Sequence, residues 1–174
     1  MLPFLKEPPE QLGWFHPSTL TATWFWSGLF PFAPGTAGSA AALPFAFVIS
    51  WVASQWWLLP AALIAFVAGL WACGVYAPAT GKKDPGACVI DEVAGQFVTL
   101  AFIPASLSLT TLSWYIVGFL LFRAFDIVKP WPASKFDREL DGAMGIMLDD
   151  MISGLMAGVV LVIAYVLWNG VGNV

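Results

Sequence analysis

Between Gln11 and Gly81 the chain has no Asp, Glu, Lys or Arg. Soluble domains carry roughly a quarter of their residues charged; here the figure is 10%, with 59% hydrophobic residues and a mean hydropathy of +0.80, which excludes that class. His16 is the single histidine, so a mechanism needing two active-site histidines is excluded, and a Ser-His-Asp arrangement has only this residue of the polar N-terminal region to draw on. The two cysteines, Cys73 and Cys88, form no CxxC pair and no metal knuckle, and neither is followed six positions on by the Arg that a phosphate-cradling thiolate uses. They read as inert thiols. No G-x-x-x-x-G-K-[ST] loop occurs, which excludes an NTP-driven pump of that type. There is no basic stripe and the net charge is −4, so no nucleic-acid partner is expected. The opening MLPFLKEPPE is polar and proline-rich rather than a basic segment feeding an apolar core, and no cleaved signal peptide is expected.

What is present is apolar length. Five stretches, Ala40 to Leu59, Ala61 to Ala77, Val93 to Leu109, Leu112 to Val128 and Met151 to Trp168, approach the roughly 20 helical residues that cross a bilayer. No ten-residue alternation supports a barrel, so the expected fold is all-α: a polytopic membrane bundle of about five helices. The expected domain is single, residues 1–174, with an N-terminal tail and interfacial segment at 1–26 and a catalytic bundle at 27–168. Breaks are expected at Leu59-Pro60, at 81–86, near Thr110 and over Lys129 to Ser134. Lys6, the Lys82-Lys83 pair, and Lys129, Lys135 and Arg138 place the tail and the two larger loops in the cytoplasm by the positive-inside bias. Gly154-Leu155-Met156-Ala157-Gly158 carries a small-xxx-small spacing, read as packing inside the bundle; the oligomeric state is left open, with a homodimer face as the weaker use.

The charges beyond Gly81 fall mainly into KKDPGACVIDE (Lys82 to Glu92) and RAFDIVKPWPASKFDRELDGAMGIMLDD (Arg123 to Asp150), which hold every carboxylate except Glu7 and Glu10. With five spans, Asp91-Glu92, Arg123-Asp126 and Asp149-Asp150 reach one membrane surface, the two acidic pairs at expected helix starts where the macrodipole favours anions. Arg123 and Asp126 share a helix face and alone read as an ordinary ion pair. A gathering of carboxylates from separate segments at membrane depth is costlier and marks a functional site. Asp84, Asp91, Glu92, Asp126, Asp149 and Asp150 offer hard oxygen ligands with no histidine nearby, which suits Mg²⁺. Arg123, Lys129, Lys135 and Arg138 are the cations beside them, suited to phosphate; Lys82 and Lys83, and Lys135 with them, read as topological anchors alone. The Gly35-Thr36-Ala37-Gly38-Ser39 run can offer N–H groups and the Thr36 and Ser39 hydroxyls to an anion, or cap a helix.

Four segments, SGLFPFAPGTAGS (Ser27 to Ser39), VIDEVAG (Val89 to Gly95), FRAFDIVKPWP (Phe122 to Pro132) and FDRELDGAMGIMLDD (Phe136 to Asp150), resemble the signature segments of bacterial phosphatidylglycerophosphatase A. Asp91, Glu92, Arg123, Asp126, Lys129, Asp137, Arg138, Asp149 and Asp150 fall on the family's polar positions, and Ala143 departs from a frequent second glycine. The resemblance implies a multi-pass, Mg²⁺-dependent lipid phosphatase of the bacterial inner membrane, acting on phosphatidylglycerophosphate in phospholipid synthesis with its site facing the cytoplasm. On this reading Asp91, Glu92, Asp149 and Asp150 are metal ligands, and Asp126, Asp149, Arg123 and Lys129 are catalytic. Arg123, Lys129, Arg138, Thr36 and Ser39 bind substrate. Water is the expected nucleophile, with an aspartyl-phosphate as the alternative.

Two other classes compete. An ion-coupled transporter also uses intramembrane carboxylates, but places them near the midplane, whereas the middles of the first, second, third and fifth stretches are uncharged. A CDP-alcohol phosphotransferase, another membrane lipid enzyme, needs a D-x₂-D-G-x₂-A-R pattern that Asp137 to Gly142 does not supply.

Overall fold

A computed structural model describes residues 4–103 and 108–171. Among them there are helices and turns and no strand: α1 (Pro17–Ala22), α2 (Pro34–Val52), α3 (Leu58–Thr80), α4 (Ile90–Leu100), α5 (Leu109–Val128), α6 (Ala133–Glu139) and α7 (Gly142–Val171). Four helices, those of α2, α3, α5 and α7, are long and apolar enough to cross a membrane. The third expected span, Val93 to Leu109, is instead the 11-residue α4, about 16 Å long at 1.5 Å per residue; residues 104–107 of that stretch lie outside the described residues.

α4 is the central post. Every residue from Ile90 to Leu100 is buried except Glu92, which is half-buried, because α2, α3, α5 and α7 all pack on it. Close approach is bought with small side chains. A Cβ on Gly154 of α7 would lie 2.3 Å from the Gly95 carbonyl oxygen of α4, so these backbones cross in contact, and Thr99 Oγ1 donates to Gly154 O at 3.1 Å. The small-xxx-small spacing thus serves packing within the chain. Outward faces are apolar: Ile64, Val67, Leu120, Val159, Ile163 and Val166 are exposed, an arrangement suited to lipid and costly in water.

Several helix starts differ from the sequence reading. α2 begins at Pro34 rather than Ala40, since proline at the first helical position has no N–H to satisfy and a preset φ. Its break lies at 53–57, and Pro60 sits in the first turn of α3, where its missing donor costs nothing. α7 begins at Gly142, not Met151, so Asp149 and Asp150 lie two turns inside a helix and do not cap it. The N-terminal tail contains α1, capped by His16, whose Nδ1 accepts from Ser18 N at 3.2 Å. The tail straps the α3–α4 connection, with Val89 N donating to Ala22 O at 2.8 Å, and folds on itself through Lys6 N donating to Leu29 O at 2.8 Å.

Candidate active site

The α4 amino end, the α5 carboxyl end and the second turn of α7 converge on a cavity of about 120 Å³. Asp91 and Glu92 stand in the first turn of α4, where the helix dipole favours their charge. Asp150 reaches them from α7, and one oxygen from each of the three lies within 4.8 Å of the others. Asp91 Oδ1 also accepts from Glu92 N at 3.0 Å. Burial, then the adjacent Glu92 charge, raises Asp91 well above the ordinary carboxylate range; burial pushes Glu92 up to about 8. Three such groups in one place hold protons unless a cation replaces them. Glu92 Oε2 is buried without a hydrogen-bond partner among the described residues, an acceptor left over for such a cation. An all-oxygen set of this kind suits Mg²⁺ or another hard divalent ion, with room for water and a phosphoryl oxygen to complete the shell.

Asp149 is one residue from Asp150 and therefore about 100° round the helix. It meets Lys129 instead, in a tight ion pair in which Asp149 is buried. Lys129 ends α5 in the left-handed region (φ +45°, ψ +61°), its N–H donating to Phe125 O at 2.8 Å. A glycine is the usual occupant of that position. A lysine there sits against its backbone preference, with its side chain turned to Asp149.

Asp126 lines the cavity, whereas Arg123 stands one layer behind it. The Arg123 Nη1 pairs with Asp126 Oδ2 at 2.5 Å, approaches Glu92 Oε1 at 3.7 Å and lies 3.4 Å from Ser39 Oγ. The α2 amino end closes that layer. A Cβ on Gly35 would sit 2.1 Å from Glu92 Oε1 and 3.1 to 3.2 Å from the Arg123 nitrogens, so the site needs glycine there. Ser39 is fully buried, its hydroxyl donating to Gly35 O at 2.8 Å; Thr36 is half-buried; neither is on the cavity wall. Arg138, exposed on α6, is also off the wall, and the side chain of Asp137 lies outside the described residues.

The sequence reading did not single out Gly35, whose role is visible only once α2 is placed against Glu92. Lys83, read from sequence as a topological anchor alone, lines the cavity beside Asp84 and pairs with Asp141. Nothing in KKD distinguishes Lys83 from Lys82. The thiols take no part: Cys73 and Cys88 are buried, and the hydrogen bond with Cys73, followed by burial, holds the Cys88 thiol far above its ordinary value and protonated.

The family model described as phosphatidylglycerophosphatase A matches residues 20–165. The chain is 37% identical over 146 residues to the phosphatidylglycerophosphatase A of Escherichia coli K12, covering 84% of this chain and 82% of that one. It is 36% identical over 163 residues to the phosphatidylglycerophosphatase A of Haemophilus influenzae, covering 94% and 97%. A Bacteroides thetaiotaomicron protein, provisionally named a phosphatidylinositol-3-phosphatase, is 33% identical over 150 residues, covering 83% and 91%. No solved structure matches the chain.

Proposed function

The chain belongs to the phosphatidylglycerophosphatase A family and is a phosphatase, and from that premise we propose that it hydrolyses the terminal phosphomonoester of phosphatidylglycerophosphate at a cytoplasm-facing site. Water adds to phosphorus, the ester P–O bond breaks, and the lipid alcohol leaves as phosphatidylglycerol with inorganic phosphate as the second product. The observation that carries this reading is the meeting of Asp91, Glu92 and Asp150 on a small cavity also lined by Lys129.

Those three carboxylates would hold Mg²⁺. When bound, the ion supplies Lewis-acid stabilisation of charge on the phosphoryl oxygens. Asp149 is better placed to fix Lys129, whose ammonium can face a phosphoryl oxygen, than to complete the ligand set. Asp126 faces the cavity and can accept the proton of the attacking water. Arg123 serves by position: it pairs with Asp126 and approaches Glu92, with Gly35 and Ser39 at its back. The cavity is small, about 120 Å³, so on this reading the phosphoryl group enters it while the lipid body stays at the membrane surface.

The test is phosphate release in mixed micelles from phosphatidylglycerophosphate, phosphatidate and phosphatidylinositol 3-phosphate, each with Mg²⁺ and with excess chelator. Chelator-sensitive release favouring the first lipid supports the proposal. Preference for the inositol lipid supports the second reading, which the name of the Bacteroides relative favours. Release that survives chelation would overturn the carboxylate-held cation.

A further inference from the structure

Among the described residues, the cavity wall is lined by six acidic residues and two lysines, Lys83 and Lys129. A phosphomonoester arrives with a charge of about −1.5 to −2, and the wall must offer it cations that are free to change partners. Lys129 is poorly suited to do so alone, because its pair with Asp149 is buried on the Asp149 side and a buried pair is costly to open. The Lys83–Asp141 pair is different: its side chains are 66% and 83% exposed, so water screens it and this contact is cheap to open.

Position agrees with charge. Lys83 lies on the connection between α3 and α4, next to the cavity-lining Asp84. Asp141 lies on the link between α6 and α7, flanked by Leu140 and Gly142, which line the cavity, while Asp141 itself does not. The pair thus bridges two segments at the cavity rim. On the reading of this site as a lipid phosphatase, we propose that Lys83 is a substrate-binding residue: its ammonium leaves Asp141 for the incoming phosphoryl dianion, and Asp141 is its resting partner. Lys83 contributes to capture of the phosphomonoester rather than to bond cleavage.

The experiment compares Lys83→Gln, Lys83→Arg and Asp141→Asn with the wild-type chain on phosphatidylglycerophosphate in mixed micelles, together with inhibition by inorganic phosphate. A lost charge-assisted contact at a half-open site predicts a KM raised about 5- to 20-fold in Lys83→Gln, with kcat changed by less than about threefold and the inhibition constant of phosphate raised in parallel. Lys83→Arg keeps the charge and stays near wild type. Asp141→Asn leaves KM unchanged or lowers it, since the resting partner competes with substrate. If Asp141→Asn reproduces Lys83→Gln, the pair is only a structural bridge and the inference fails. An unchanged KM in Lys83→Gln with an active wild-type chain sinks this inference alone; a wild-type chain that releases no phosphate sinks the phosphatase reading and this inference with it.

Discussion

Replacing Gly35 with alanine adds one methyl group and should separate folding from chemistry. In the second position of α2 the substitution favours the helix, by up to about 1 kcal/mol in an interior position and less near an end. The new Cβ would stand 2.1 Å from Glu92 Oε1, so that carboxylate must retreat by roughly 1.3 Å to reach an ordinary contact of 3.4 Å. The obstacle is the tip of a flexible side chain rather than backbone, so the fold tolerates it. The site does not: Glu92 leaves the oxygen trio, and a misplacement of about 1 Å is enough to cost about 100-fold in rate. We expect Gly35→Ala to retain its thermal midpoint, followed by tryptophan fluorescence, while kcat falls at least about 100-fold and Mn²⁺ binding, followed by electron paramagnetic resonance, weakens at least about tenfold. Gly38→Ala is the contrast, because its Cβ would lie 2.5 Å from Val89 Cβ, in packing rather than in the site; it should melt earlier. Activity of Gly35→Ala within threefold of wild type, or intact Mn²⁺ binding, would refute the argument.

Lys129→Ala and Lys129→Gly should both lose activity, by about 100-fold, yet the glycine variant should be the more stable of the two by about 0.5 to 1 kcal/mol, because φ at this position is +45°; equal stability in urea or heat would show that the strain is relieved otherwise. Asp150→Asn and Asp149→Asn should diverge despite their adjacency: the first weakens Mn²⁺ binding at least about tenfold, the second leaves it within about twofold and raises KM through the loosened Lys129. Equal losses of Mn²⁺ affinity would return Asp149 to the ligand set. Gly154→Ala should destabilise the bundle by about 1 to 3 kcal/mol, since its methyl group meets the Gly95 backbone, which cannot turn aside as a side chain can; a wild-type midpoint would contradict the close crossing of α4 and α7.

The charge pattern made the site legible because carboxylates in an apolar chain have few reasons to gather, and Asp91, Glu92, Asp126 and Asp150 do gather. What the pattern could not carry is depth. The apolar stretch begins only at Met151, yet α7 starts at Gly142, and the nine residues thereby added to its start change what the Asp149-Asp150 pair does. At a helix start both side chains would have met the same dipole. Two turns inside, they point about 100° apart, one to α4 and one to the end of α5. The same applies to the layer behind the wall. Gly35 and Ser39 belong to a run that sequence offers to capping or to anion binding, and only the packing of α2 on α4 and α5 shows Gly35 and Ser39 turned inward on Glu92 and Arg123. Residue type and spacing therefore identify which groups gather, whereas helix phase decides which of two adjacent acids joins Asp91 and Glu92 and which faces the lysine.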